Sequence, residues 1–114
     1  MSDQVFNANS FTYYGTANTT TGGTAIDVAK LPDFDEYEMV AFTNLHATDS
    51  IAFKTGIAGV TVGHPASNDT ALATTIIAAG TTRFLRKEKA HTTFAVDSLA
   101  GAATFVVQYG NGDR

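Results

Sequence analysis

Short runs in which apolar and polar positions alternate dominate the chain from residue 38 onward. Glu38–Asn44, Ser50–Thr55, Arg83–Arg86, His91–Val96 and Ala102–Tyr109 are such runs, set off from one another by Gly, Asn, Asp or Ser. Period-two alternation marks a strand with one buried face, because successive side chains of extended backbone point to opposite sides. Strands this short and this regularly spaced predict an all-β domain, an antiparallel β-sandwich that is jelly-roll-like. The predicted core takes one face from each strand: Met39, Phe42, Ile51, Phe53, Phe84, Phe94, Val96, Phe105 and Val107.

The remaining segments are read from their turn chemistry. Ala25–Ala29 alternates Ile26 and Val28 with Asp27 and predicts a further strand, closed by Leu31-Pro32 because Pro cannot donate to a ladder. Gly56–Val62 predicts a short strand broken at Gly59. In Ala71–Ala79, Ala and Leu favour helix while Thr74, Thr75, Ile76 and Ile77 favour strand; Gly80 stops the segment early, and strand is the expectation. Asp33–Glu38 and Gly63–Asp69 read as loops, Gly110–Arg114 as a polar tail, and the low-complexity Gly15–Thr24 as an exposed loop. Residues 1–14 stand apart, polar in character yet carrying Val5, Phe6, Phe11, Tyr13 and Tyr14. The chain therefore divides into an N-terminal arm and flexible loop over 1–24 and a β-sandwich domain over 25–114. The arm either extends onto a neighbouring subunit or another protein's surface, adding a strand there, or covers the domain's own sheet.

A length of 114 residues fits one domain. At this size roughly 6,000 Å² of folded surface is expected against roughly 17,000 Å² unfolded, enough for one core with little margin. Association with other subunits is then a natural further source of stability. Seven basic and eleven acidic residues give a net charge of −4, which argues against binding nucleic acid through phosphate neutralisation. Apolar stretches are only a few residues long, so no membrane span is expected. The start Met1-Ser-Asp-Gln-Val-Phe lacks the regions of a signal peptide, so the expectation is a protein made in the cytoplasm that leaves it only within an assembly or by lysis. With no Cys there is neither a disulfide nor a thiolate metal site.

Candidate chemistry is sparse. The acidic run Asp33, Asp35, Glu36, Glu38 does not meet the spacing of a calcium loop and reads as a solvated entry to a strand. His46, His64 and His91 form no metal-type pair. There is no Gly-x-Ser-x-Gly elbow, and the glycine pairs lack the Lys and the strand–helix setting of a phosphate loop. No catalytic residue, cofactor or metal is expected, and the chain reads as a non-enzyme. Two groups remain as interaction candidates: the aromatic residues Phe6, Phe11, Tyr13 and Tyr14, and the basic cluster Arg83, Arg86, Lys87 and Lys89, read as a solvated strand end or a docking patch for an acidic protein surface.

Four pieces in order carry a resemblance. These are Asp49-Ser-Ile-Ala-Phe-Lys-Thr-Gly56; an Ile77-Ala-Ala-Gly80 corner leading into Thr82-Arg-Phe-Leu-Arg86; His91-Thr-Thr-Phe-Ala-Val96; and a Gly-Ala-Ala-Thr-Phe-Val-Val strand ending in Gly110-Asn-Gly112. Over about 65 residues, in the C-terminal half, the chain resembles small virion proteins encoded beside the major capsid protein of tailed bacteriophages. The resemblance implies a capsid decoration (cement) protein, a homotrimeric sandwich or jelly roll that binds the major capsid protein on the outer surface of the head. The competing expectation is a small β-sandwich recognition module for a carbohydrate or a host receptor, although the chain has no Trp to form a sugar platform.

Overall fold

Among the described residues, eight strands pair as if one long antiparallel ribbon had been folded back on itself. They are β1 (Val5–Ala17), β2 (Thr24–Ala25), β3 (Met39–Asn44), β4 (Ile51–Gly56), β5 (Thr75–Ile77), β6 (Thr82–Arg86), β7 (Thr93–Ser98) and β8 (Ala103–Asp113). Strand β1 lies beside β8, β2 beside β7, β3 beside β6 and β4 beside β5, every pair antiparallel. The two resulting sheets, in the orders β1-β8-β3-β6 and β2-β7-β4-β5, have the connectivity of an eight-stranded jelly roll. This computed structural model describes residues 5–19, 23–63 and 75–113, with side chains described over 12–19, 23–63 and 75–111. The predicted loop Gly63–Asp69, His64 included, thus falls almost wholly outside the described residues, as do 71–74 of the predicted strand Ala71–Ala79, whose described part is β5.

The space between the sheets is filled by aromatic rings. Phe42 stacks on Phe105 at 5.1 Å and meets Phe53 at 4.7 Å. Phe94 lies 5.2 Å from Phe53 and 6.0 Å from each of Phe34, Phe105 and Tyr13. Ile51, Val96 and Val107 complete this centre as predicted. Two predicted members behave differently. Met39 is buried, but strand alternation puts it on the opposite face of its sheet from Val40 and Phe42, outside the inter-sheet core. Phe84 is 58% exposed, because it pairs with Ala41 on the outer face while its neighbour Leu85 pairs with Val40 and points inward.

Other departures from the sequence reading have local causes. The expected strand Ala25–Ala29 ends at Ala25; the Asp27 carboxylate accepts from the Ala29 amide at 3.0 Å and caps a 3-10 turn over Val28–Lys30. The acidic loop contains a second such turn, Phe34–Glu36, and it is not wholly solvated, since Phe34 is driven into the end of the core against Phe94 and Tyr109. Tyr109 holds this crossing in place by donating its hydroxyl to Pro32 O at 2.6 Å. Gly56–Val62 is not a strand beyond Gly56: Val60 N–H donates to Ile57 O at 3.0 Å, and the segment turns back so that Val60 and Val62 cover Ala52 and Ala95 on the outside of their sheet. The polar tail is also extended, with β8 running to Asp113.

The segment expected as an arm is, from Val5 to Ala17, a strand alongside β8 of the same chain. Its register slips between Ala8 and Thr12, a bulge in the pairing. Beyond it Tyr13 turns inward, 6.0 Å from both Phe94 and Phe105, and Ala17 is buried in the core. Gly15 makes this possible: a Cβ there would lie 2.7 Å from Tyr13 Cε2 and 3.0 Å from Phe105 Cζ.

One buried polar side chain ties the sheets together at the opposite end. Asn44, at the end of β3, donates its amide to Asp49 O at 2.9 Å and to Ile77 O at 3.0 Å, and its Oδ1 accepts from His46 N–H at 2.9 Å. It thereby holds the β3–β4 loop and the end of β5. His46 continues the loop's internal bonding, with Nδ1 accepting from the amides of Thr48 and Asp49 at 3.1 and 2.9 Å, which places its proton on Nε2.

Candidate interaction surface

Strands β5 and β6 are edge strands on the same side of the sandwich. Near the top of that side Arg83 Nη1 reaches from β6 to Ile76 O of β5 at 3.3 Å. Below it, the described residues of β5 pair with Ile51–Phe53 of β4. A cleft of about 360 Å³ lies here. Its floor is the inner apolar surface, Val40 and Leu85 from one sheet and Phe53 from the other; its rim is Lys54, Thr55, Thr75, Arg86, Lys87 and His91. A shallower hollow of about 600 Å³ shares Lys54, Thr55 and His91 and continues over the turn at Ile57–Val60. None of the described residues lining either space is acidic.

The rim cations are held in different ways. Lys87 is 6% exposed and donates from Nζ to Glu88 O at 2.8 Å and to His91 O at 3.0 Å, with the ammonium 4.6 Å from the centroid of Phe34. Burial lowers its pKa, an effect that the nearby charges of Asp35 and Glu38 oppose. Its donors are thus committed to the β6–β7 turn, and its role is to fix that turn and the buried Phe34. His91, at the end of the turn, has Nδ1 2.7 Å from Thr55 Oγ1 and Nε2 4.0 Å from Glu88 Oε1. Arg86 faces Glu38 at 3.5 Å with both side chains largely exposed, a pairing of little energetic weight.

Tyr13 and Lys87 titrate in opposite senses at alkaline pH. Burial raises the Tyr13 phenol above its ordinary 10.0, so the unfolded chain loses this proton first and stability falls as pH rises past about 10. The lowered Lys87 makes stability rise with pH between its folded value and the ordinary 10.5. Lys87 is common to the native chain and to a Tyr13→Phe variant, so their difference isolates the phenol. Urea midpoints measured from about pH 9 to 11 are expected to fall more for the native chain than for Tyr13→Phe; equal slopes would contradict the burial of this hydroxyl.

The predicted interaction residues are not gathered in one place. Of the basic cluster, only Arg86 and Lys87 line the cleft; Arg83 braces the edge above it and Lys89 is exposed on the following turn. Lys87 is buried rather than solvated, since the turn closes over its stem. Of the aromatics, Tyr13 packs inward and Tyr14 points outward, 65% exposed. Phe6 and Phe11 lie on the backbone of β1, with side chains outside those described. Lys54, Thr55, Thr75 and His91 were not singled out by sequence reasoning as a group. Their positions, on two strands and a turn, carry no local signal, and only the strand pairings bring them to one rim.

Tyr14 belongs to a second surface, the outer face of the β1-β8-β3-β6 sheet. Two rows cross it: Tyr14, Val106, Thr43 and Thr82, and next to them Thr12, Gln108, Ala41 and Phe84. Neither row contains a charged residue. Thr43 and Thr82 hydroxyls meet at 2.8 Å, binding the edge strand to its neighbour across this face. Among the described residues no three of His, Asp and Glu converge as a metal site would require. Comparison with known proteins finds no match to this chain among family models, curated proteins or solved structures.

Proposed function

We propose that the protein is a virion structural protein, a decoration or cement protein that binds the major capsid protein on the outer surface of a tailed-bacteriophage head. In this reading it is made in the host cytoplasm, acts as a homotrimer, and stabilises contacts between capsid subunits without catalysis or a cofactor. The observation that carries the reading is the strand order. The pieces bearing the resemblance to phage capsid-associated proteins are β4, the corner into β6, β7 and β8, and they are successive parts of one jelly roll. That is the architecture the resemblance implies. The two charge-free rows on the outer sheet face supply a broad surface on which another protein can be packed without burying an unpaired charge.

The cleft at the sandwich edge favours the second reading, a recognition module for a carbohydrate or host receptor, because a polar rim over an apolar floor is also what a small-ligand site uses. Co-sedimentation separates the two. Purified protein is mixed with empty shells of the major capsid protein encoded beside it, and in parallel passed over immobilised glycans. The proposed role predicts saturable pelleting with shells and no retention on glycans; retention on glycans with no pelleting supports the recognition module instead. Mass measurement in solution is expected to give a trimer.

A further inference from the structure

We infer that the free edge of β1 pairs with β1 of a second copy of this chain, antiparallel about a two-fold axis at Tyr14. The pairing joins two β1-β8-β3-β6 sheets edge to edge into one continuous sheet. This contact does not depend on the proposed capsid role; on a shell of trimers it links one trimer to the next.

An edge strand presents a row of unpaired backbone donors and acceptors, and sheets ordinarily blunt it with shortness, charge or Pro. Strand β2 is an edge only two residues long. Edge strand β6 carries Arg83 and Arg86, and Arg83 is bonded across to edge strand β5 at Ile76 O. Strand β1 has none of these guards. It runs for 13 residues, Val5–Ala17, without a charged residue or a Pro. Its bulge lies between Ala8 and Thr12, so residues 12–17 form an unbroken ladder with β8 on one side. Among the described residues, no hydrogen bond joins the other side of 12–17 to anything.

The side chains of this stretch select a second copy as the occupant. With the axis at Tyr14, Thr12 lies opposite Thr16 of the second copy, and Tyr14 lies opposite its own counterpart. Thr–Thr and aromatic–aromatic are favoured cross-strand pairs. All three side chains are exposed, and Tyr14, at 65%, gains a ring to pack against. On the inner side each Tyr13 lies opposite Gly15 of the other copy, which sets no side chain against it. Charge points the same way. Each copy carries −4, so two copies repel where carboxylates meet, and β1 brings none to the contact. The uncharged rows that begin at Tyr14 and Thr12 then run on from one sheet into the other. About five paired residues on each strand make a seam of only about 17 Å, too little for the roughly 800 Å² per partner of a standard interface. The contact is therefore weak in dilute solution and is made between copies already held close together.

The test is small-angle X-ray scattering of the full chain between about 10 µM and about 1 mM, the range in which so small a contact fills. The mass found at the low end is expected to double at the high end, and the amide resonances of residues 12–17 to shift with it. Tyr14→Lys and Tyr14→Glu each set like charges opposite one another and are expected to associate at least about tenfold more weakly. An equal mixture of the two restores the association, because Lys then faces Glu. The Tyr14 side chain is exposed, and unchanged amide resonances in β4 and β7 show that each variant is folded. No rise in the mass of the native protein at the highest concentration overturns the inference. So does a rise that both variants share, a mixture no better than either alone, or growth past a doubling, which a closed two-fold contact forbids. The native protein also decides the matter without any variant: concentration-dependent shifts confined to other regions overturn the pairing. Shell binding keeps this separate from the proposed function. If the native protein pellets with shells but never doubles, the pairing fails and the capsid role stands. If it doubles through residues 12–17 but ignores shells, the capsid role fails and the pairing stands.

Discussion

Replacing Phe94 by Ala is expected to destabilise the protein by about 3–5 kcal/mol, the range for deleting a buried phenyl ring and leaving a cavity. Phe94 is fully buried, and its ring meets those of Tyr13, Phe34, Phe53 and Phe105, which arrive from β1, the 3-10 crossing, β4 and β8. No single neighbour can move to fill the space without dragging a strand with it. Urea unfolding of the two proteins measures the difference directly. Phe84→Ala is the matched comparison: the same ring is removed from a site 58% exposed, and the expected loss is far smaller. Equal losses at the two positions would contradict the assignment of inner and outer faces.

Asn44→Ala is expected to cost roughly 2–4 kcal/mol, which is large for the removal of a single amide. The side chain makes three hydrogen bonds, to Asp49 O, to Ile77 O and from His46 N–H, and the one to Ile77 is buried. Ala leaves those backbone groups without their partner, and Asp, which removes the two donors while keeping an acceptor, is expected to do no better. Because Asn44 lies on β3 and Ile77 on β5, the variant also loosens the attachment between the sheets. Amide hydrogen exchange is expected to accelerate at Gly80 and Asn44, whose backbone bonds close the same corner, before it accelerates in β7 and β8. A uniform acceleration, or a loss under about 0.5 kcal/mol, would show that the amide is replaceable by water.

The fold was legible where alternation decides a face and illegible where length or partner choice does. Phe42, Ile51, Phe53, Phe94, Phe105 and Val107 are inside, as period two requires of strands buried on one side. Phe84 and Leu85 show the limit. Both are large and apolar, adjacent, and on an edge strand, so the sequence alone does not say which of them faces the core; the pairing of Leu85 with Val40 does. Ala25–Ala29 alternates like a strand, but Asp27 diverts the backbone by bonding to the amide two residues on. The first strand was obscured differently. Nothing in Val5–Ala17 alternates cleanly, because Gly15 is an inward position left empty for the Tyr13 and Phe105 rings, and a bulge lies between Ala8 and Thr12.

The candidate site was less legible still. The basic cluster around Arg83–Lys89 is conspicuous in sequence, yet its four charges part company in space: one braces an edge, one is buried, one is exposed beyond the turn, and only Arg86 is both accessible and on the rim. Lys54 and His91, which complete the rim, are far apart in sequence and reach the same rim because β4 pairs with β7, with Thr55 and His91 hydrogen-bonded just beyond the last pair. A cleft between two edge strands has no motif.

Cryo-electron microscopy of phage shells incubated with saturating protein tests the capsid role most directly. The account predicts density for a two-sheet sandwich at regular positions on the outer surface of the shell, grouped in threes. Bare shells at saturating protein, with the protein itself folded and free in solution, would contradict it.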